Sequence, residues 1–443
     1  MTATIHQGVA LTVLRTLDSG SVHCCVTSPP YWALRRYSAG DQEMGSEPTS
    51  EAYLAAQVAV FREVRRVLRG DGVCWINIGD TMLGSGAVAG GGLRQTNTGS
   101  GGTWQGGSVV TARRHPKEGG EGNLAAIPYR LGLALQADGW LWRSTVIWQK
   151  LSPMPESVAG WSWEQHRVKV KVGKTVHAGT TGNGRNEQRL EGTSYLDPDA
   201  NASWSPCPGC PTCAPNGGLV LSKGSWRPTK SHEYILMMVK SMGYFSNQFS
   251  VLDPAGSWKG SRFNGDRDEA IHPNVGKNGR NEMSTRNPRD VMTFAAAPQH
   301  GDPSKGYAAP VDSKHYASFP PSLPDFFIRA SCPERCCAVC HAPWAPVVDG
   351  KVTTGHDNNH DSANRSTSAL KTTLFSGRVL GLRPTCAHGD AWIPGTVLDC
   401  FAGTGTTLLA AERLGRNSIG IELSEQYIAL ARARLRGDAP LFA

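Results

Sequence analysis

The stretch Thr396-Val397-Leu398-Asp399-Cys400-Phe401-Ala402-Gly403-Thr404-Gly405-Thr406-Thr407 opens as an apolar strand and runs into a glycine turn. The helix-like run Leu408 to Leu414 follows, and then a second strand, Ser418-Ile419-Gly420-Ile421-Glu422, with an acid at its tip. Strand, glycine turn, helix, strand and acid in that order predict a Rossmann-like α/β unit. The glycines let the backbone approach a ligand closely. An acid about 20 positions further on is placed to accept both ribose hydroxyls of a nucleoside. A dinucleotide-binding turn would carry a third glycine at the helix start, where Thr406 and Thr407 stand instead. That favours a nucleoside without a pyrophosphate, of which S-adenosylmethionine is the common example.

Other segments extend the α/β pattern. Residues 5–14 and 21–26 read as strands flanking a turn at Asp18-Ser19-Gly20. Glu51 to Leu68 spaces its apolar positions like an amphipathic helix and ends in Arg69-Gly70-Asp71-Gly72, a helix stop and turn. Val73-Cys74-Trp75-Ile76-Asn77-Ile78 has the character of a buried strand, closed by Gly79-Asp80. Residues 127–137 then predict a helix, Trp140 to Trp148 a strand, and Tyr234 to Val239 a further buried strand.

Three irregular regions interrupt this pattern. Gly84 to Gly122 is rich in Gly, Ser and Thr with Arg94, Arg113, Arg114 and Lys117 interspersed, as in a lid, a phosphate-contacting loop or a plain surface loop. Leu151 to about Gly224 is basic and rich in Gly and Pro. Its His166-Arg167-Val168-Lys169-Val170-Lys171 alternation suits an edge strand that turns basic side chains to phosphates or simply to solvent. Asp253 to His315 is polar. Target contacts are expected in the last two regions.

A second motif, Thr27-Ser28-Pro29-Pro30-Tyr31-Trp32, follows the apolar run Val22 to Val26. Two prolines fix φ and remove two donors, so the segment is expected to turn its carbonyls outward as acceptors. Ser28 adds a hydroxyl, and Tyr31 and Trp32 add flat surface on which a planar ring can stack. Such a rack suits the exocyclic amine of an aromatic base, whose delocalised lone pair must be drawn toward a tetrahedral form before it reacts. The plainer alternative is a Pro-Pro turn that closes a strand, with its aromatics as packing.

The chain has 443 residues, enough for one large domain with insertions or for two to three smaller ones. Its 51 glycines and 28 prolines fit long connections, and its net charge of +8 permits a polyanionic partner without requiring one. No apolar run reaches signal-peptide or membrane-span length, so a cytoplasmic protein is expected. Twelve cysteines then point to metal rather than disulfides. Cys207-Pro-Gly-Cys210-Pro-Thr-Cys213 and Cys337-Ala-Val-Cys340 both carry the two-residue gap of a tetrahedral zinc site. Cys386 and His388 supply a closing pair for the second cluster, predicting a small zinc ribbon. For the first, no fourth ligand is evident; free, partly buried thiols are the alternative at both.

Together these stretches resemble the DNA amino-methyltransferases of the permuted β class. There the Ser/Asp/Asn-Pro-Pro-Tyr motif is N-terminal, the Phe-x-Gly-x-Gly motif C-terminal, and target recognition lies between. Arg65-Arg66-Val67-Leu68, Trp148-Gln149-Lys150 and His315-Tyr316-Ala317-Ser318-Phe319-Pro320 match as well. The resemblance implies a seven-stranded Rossmann-like methyltransferase sheet with an inserted recognition region. Residues 1–150 would form the catalytic part and 151–310 the recognition insert, with further sheet elements near 226–250. Residues 311–331 and 391–443 would be the cofactor part, and 332–390 the zinc ribbon.

By the same resemblance, Ser28 and the Pro29 carbonyl would hold the target amine, with Pro30 shaping the turn and Tyr31 stacking on a flipped base. Asp399, Phe401, Gly403, Gly405, Thr406 and Glu422 would cradle S-adenosylmethionine. Double-stranded DNA is the implied partner, with no membrane. A homodimer and a cognate restriction endonuclease are further expectations. Ser28 at the motif's first position leans toward cytosine N4 as acceptor, with adenine N6 the alternative. Many relatives carry Gly-Asp in the first strand turn where this chain has Gly8-Val9, which motivates a second alternative, a DNA- or cofactor-binding module without turnover. Methylation of a protein amide fits the permuted order less well.

Overall fold

The computed structural model describes residues 2–32, 44–83, 122–151, 160–171, 202–224, 226–254, 285–294, 319–355 and 372–438. The chain forms two compact units, one of residues 1–152 and 231–443, the other of residues 153–230.

The larger unit is built on β2 (Val22–Thr27), whose residues are all buried. A strand buried at every position must be covered on both faces, as in parallel sheets. Around it lie β1 (Ala3–Gln7), β3 (Leu68–Ile78), β4 (Leu141–Gln149), β5 (His232–Val239), β6 (Val291–Thr293), β7 (Thr396–Asp399) and β8 (Asn417–Glu422). Their order in the sheet is β1-β8-β7-β2-β3-β5-β4-β6. Neighbours are parallel except at β5, which runs antiparallel to both β3 and β4.

Among the described residues, six α-helices accompany the sheet: α1 (Ala10–Leu14), α2 (Ser50–Val67), α3 (Ile127–Ala137), α4 (Ser322–Ser331), α5 (Thr406–Arg413) and α6 (Glu425–Asp438). Alternation along the strands divides the core in two. Cys25, Cys74, Ile76, Ile78, Leu236 and Leu398 pack with α1, α2 and α3. Cys24, Val26, Val73, Trp75, Ile235 and Val397 pack with α4 and α5. The result is a three-layer α/β/α arrangement.

Three expectations are corrected. The sheet has eight strands rather than seven; the added edge strand, β6, is three residues long and lies in a polar stretch that carries no alternating pattern. Residues 5–14 are not one strand: β1 ends at Gln7, and Gly8, at φ +150, turns the chain into α1. Arg69 to Gly72 is not a separate turn. α2 passes directly into β3, whose pairing jumps from Val22↔Leu68 to Cys24↔Val73, so that Arg69–Gly72 bulges opposite His23.

The region 332–390 holds a long hairpin, Trp344–Gly355 with Thr372–Pro384, and its Cys336–Cys337 pairs antiparallel with Trp392–Ile393 just beyond it. Among its described residues the smaller unit holds two nested antiparallel strand pairs, Trp161–Gln165 with Leu219–Lys223 outside and Arg167–Lys171 with Ala202–Pro206 inside, which form one interrupted ribbon. The Gly-rich stretch 84–121, most of 253–315, and His315 to Ser318 lie outside the described residues.

Candidate active site

β2 and β7 are parallel neighbours in register Leu398↔Cys25, so their C-terminal ends bring the two sequence motifs side by side. Open α/β sheets bind ligands at that edge. One hydrogen bond joins the motifs: Thr27 Oγ1 donates to Asp399 Oδ1 at 2.7 Å. The same oxygen accepts from the Phe401 N–H at 3.1 Å. Asp399 is buried, and burial pushes its carboxyl up to about 6 against donors that favour the anion. It therefore braces the turn from inside, while Phe401 packs partly buried against the core.

Glu422 at the tip of β8 accepts from Gly403 N–H and Ser424 N–H, each at 2.8 Å, one on each carboxylate oxygen. Burial raises its pKa. Each oxygen retains a further lone pair, so the carboxylate can also receive the hydroxyls of a ribose.

The two motif glycines have different work. Gly403, at φ +51, faces open space, and a Cβ there would meet nothing within 4 Å. Gly405, at φ +77, would put a Cβ 2.9 Å from the Ala431 Cβ of α6. The first leaves room for a ligand against the backbone; the second lets two helices approach. Thr406 is buried and turned toward α6, where Arg434 donates to Thr406 Oγ1 (3.1 Å), Thr404 Oγ1 (2.9 Å) and the Thr404 carbonyl (2.7 Å). An open backbone at Gly403 beside a carboxylate with spare acceptor capacity suits a nucleoside.

At the end of β2, the Pro30 carbonyl does not face outward as expected, because Tyr53 Oη donates to it at 2.9 Å. Pro29 is buried and Ser28 half-buried. Among the described residues, Ser28 Oγ and the Pro29 carbonyl have no hydrogen-bond partner, which leaves these two as the acceptors of the rack. Tyr31 donates to Glu233 Oε2 at 2.6 Å, and Lys150 pairs with the other Glu233 oxygen.

Cys337, Cys340, Cys386 and His388 also come together, with their ligand atoms all within 4.8 Å of one another. The Val339 N–H donates to Cys337 Sγ at 3.4 Å, and further amide donors pull that thiol down to about 6. This cluster is tied to the sheet through Arg69, which donates to the Cys340 carbonyl, and His23, which bonds the His341 carbonyl.

Sequence reasoning missed Thr27, Tyr53, Glu233 and Arg434. Thr27 and Glu233 were within or beside the quoted stretches, but only strand pairing reveals their partners. Tyr53 and Arg434 sit on amphipathic helices, where a buried polar contact leaves no trace in spacing.

A family model described as DNA methylase, of the N6/N4 type, matches residues 22–337 and 393–433, resuming after the long hairpin. The chain is 27% identical over 436 residues to the type II methyltransferase M.XycI of Xanthomonas campestris pv. cyanopsidis, covering 98% of this chain and 88% of that one. To M.SmaI of Serratia marcescens, also a type II methyltransferase, it is 25% identical over 435 residues, covering 97% and 89%. Among solved structures, the cytosine-N4-specific PvuII DNA methyltransferase aligns over 98% of this chain and 86% of its own, with a TM-score of 0.45 and 14% identity. Since the family model spans both motifs and most of the sheet, the chain belongs to the N6/N4 DNA methylase family, the DNA amino-methyltransferases.

Proposed function

We propose that this methyltransferase moves a methyl group from S-adenosylmethionine to the N4 amine of cytosine at a specific site in double-stranded DNA. The observation that carries this reading is the Thr27–Asp399 hydrogen bond, which fixes an acceptor pair at Ser28 and Pro29 beside the open turn at Gly403. S-adenosylmethionine supplies an electrophilic sulfonium methyl. Gly403 and Glu422 hold its nucleoside, while Asp399 and Thr406 keep the turn in shape and Phe401 and Gly405 complete it.

The target base leaves the duplex to reach these groups. Tyr31 lies against the base, and the Ser28 hydroxyl and Pro29 carbonyl accept its two amine hydrogens. Holding both hydrogens pulls the lone pair out of conjugation and aims it at the methyl carbon. The N–C bond forms as the S–C bond breaks, and the amine then sheds a proton. Positioning and polarisation supply the rate enhancement, with no covalent enzyme intermediate. Ser28 at the first motif position favours cytosine; adenine N6 presents the same geometry and is the second reading. The irregular regions between the motifs read the target sequence, and a type II restriction endonuclease is the natural partner.

The cluster of Cys337, Cys340, Cys386 and His388 is read as a structural zinc site at the base of the long hairpin. Incubating the protein with S-adenosylmethionine and mixed-sequence duplex DNA, followed by nucleoside mass spectrometry, tests the main reading. N4-methylcytosine supports it, N6-methyladenine reassigns the base, and the absence of either product refutes it.

A further inference from the structure

The smaller unit poses a physical problem. Among its described residues only Cys213 is buried, whereas Trp161, Trp163 and Trp226 are 69%, 54% and 71% exposed. Lys223 lies over the Trp161 ring at 4.9 Å, a contact that covers little surface. A two-stranded ribbon without a buried core does not hold a structure unaided, and small units of this kind need a staple.

The backbone supplies the place for one. His166 stands between the strands Trp161–Gln165 and Arg167–Lys171, at the junction of the two nested strand pairs. Its N–H donates to the Gly218 carbonyl at 2.9 Å, and its own carbonyl accepts from Cys207 N–H at 2.8 Å. Cys207 directly follows the strand Ala202–Pro206. Gly209, at φ +121, turns the chain back toward Cys210 and Cys213. These main-chain bonds set His166 beside the three cysteines whatever its side chain does.

We propose that His166, Cys207, Cys210 and Cys213 form a second structural zinc site, a clasp that pins the segment 207–218 to His166 where the ribbon is interrupted. Their ligand atoms lie within 4.8 Å of one another. His166 Nδ1 is 3.3 Å from Cys210 Sγ, and Cys210 Sγ is 3.7 Å from Cys213 Sγ. A tetrahedral zinc with ordinary Zn–S and Zn–N bonds has edges of about 3.8 Å between two sulfurs and about 3.6 Å between sulfur and nitrogen. The thiols are free, and 3.7 Å is far outside disulfide range, which is about 2.05 Å. His166 is the fourth ligand that cysteine spacing leaves unnamed, since it sits far upstream on the opposite side of the ribbon.

The proposal does not depend on the base that is methylated or on the other cysteine cluster. It is tested by zinc content of the purified full-length protein and of three variants. Cys210→Ser is expected to carry one zinc fewer than the parent, and Cys337→Ser to leave this site filled. His166→Cys is expected to keep the parent's zinc and, loaded with cobalt(II), to show stronger thiolate charge-transfer absorption as a nitrogen ligand becomes sulfur. That last readout decides the matter if Cys210→Ser does not fold. A soluble Cys210→Ser protein with the parent's zinc content, a zinc-free parent, or an unchanged cobalt spectrum in His166→Cys overturns the proposal.

Discussion

Tyr31 Oη donates a 2.6 Å hydrogen bond to Glu233 Oε2 across 202 positions of chain. Asn77 Nδ2 braces both atoms, at 3.2 Å from Tyr31 Oη and 3.0 Å from Glu233 Oε2, and Lys150 neutralises the carboxylate. The ring lies over Gly79, where a Cβ would come within 2.7 Å of it. The motif tyrosine is thus oriented before any base arrives. Tyr31→Phe keeps the ring and loses the tether, so methyl transfer should fall roughly tenfold, the cost of a hydrogen bond to a charged group. S-adenosylmethionine affinity should stay put. Steady-state kinetics beside cofactor titration check this, and unchanged turnover would rule out a positioning role for the hydroxyl.

Ser28→Ala removes one of the two acceptors with no partner among the described residues while leaving the Thr27–Asp399 bond intact. Transfer should drop by roughly 10²-fold or more, as for loss of a preorganised polar contact to the reacting group. Cofactor binding should change little. Equal losses in both would remove Ser28 from the role proposed here.

Gly403 and Gly405 separate ligand approach from packing. Alanine at Gly403 meets open space and costs about 1 kcal/mol for its left-handed backbone, yet its methyl fills the space proposed for the nucleoside. At Gly405 it collides with Ala431 as well. Gly403→Ala should therefore weaken cofactor binding more than stability, and Gly405→Ala should lower the melting temperature first. The opposite pattern would reverse the two assignments.

Cys337→Ser tests the proposed zinc ribbon. Its loop touches the sheet through Arg69 at the Cys340 carbonyl (3.2 Å) and His23 at the His341 carbonyl (3.3 Å). Since His23 also accepts from Thr396 N–H at the start of β7, losing the metal should loosen the cofactor strand itself. Melting with and without chelator should show the larger unit destabilised in the parent and no further loss in that unit in the variant, where chelator acts only on the site of the smaller unit. An intact parent protein free of metal would end the ribbon proposal.

Which parts of this molecule were legible in its sequence follows from how local their causes are. The Gly403–Gly405 turn, Glu422 and the Ser28–Tyr31 segment each carry residues whose backbone or chemistry is special on its own, and α2 and α3 carry their periodicity within a single stretch. Glu233 does not. It reaches Tyr31 only because β5 inserts antiparallel between β3 and β4, a choice made by pairing partners far away in the chain. Gly8 misled for a related reason: the apolar residues after it, Ala10, Leu11, Val13 and Leu14, reach the core from a helix, whereas Ile5 before it lies in a strand that is half-buried at most. Asp399 is legible as a motif residue, whereas its burial and its bond to Thr27 depend on β2 lying beside β7.

That burial has a pH signature. Asp399 is pushed from 3.8 to about 6 by desolvation, so its contribution to stability is full below the unfolded pKa of 3.8 and lost as pH rises through 6. His23 runs the other way. Burial, with Arg69 nearby, lowers it from 6.5 to about 4, so its contribution is full above 6.5 and lost as pH falls through 4. Each shift corresponds to about 3 kcal/mol, and between pH 4 and 6 the two slopes oppose one another and nearly cancel. Asp399→Asn keeps an acceptor oxygen for Thr27 and Phe401 and removes the buried charge. The variant should gain up to about 3 kcal/mol at neutral pH and lose that gain on acidification. Urea unfolding of both proteins at a series of pH values measures the difference, in which titrations common to both cancel. Parallel curves would mean that Asp399 carries no burial cost, and the brace between the two motifs would need another account.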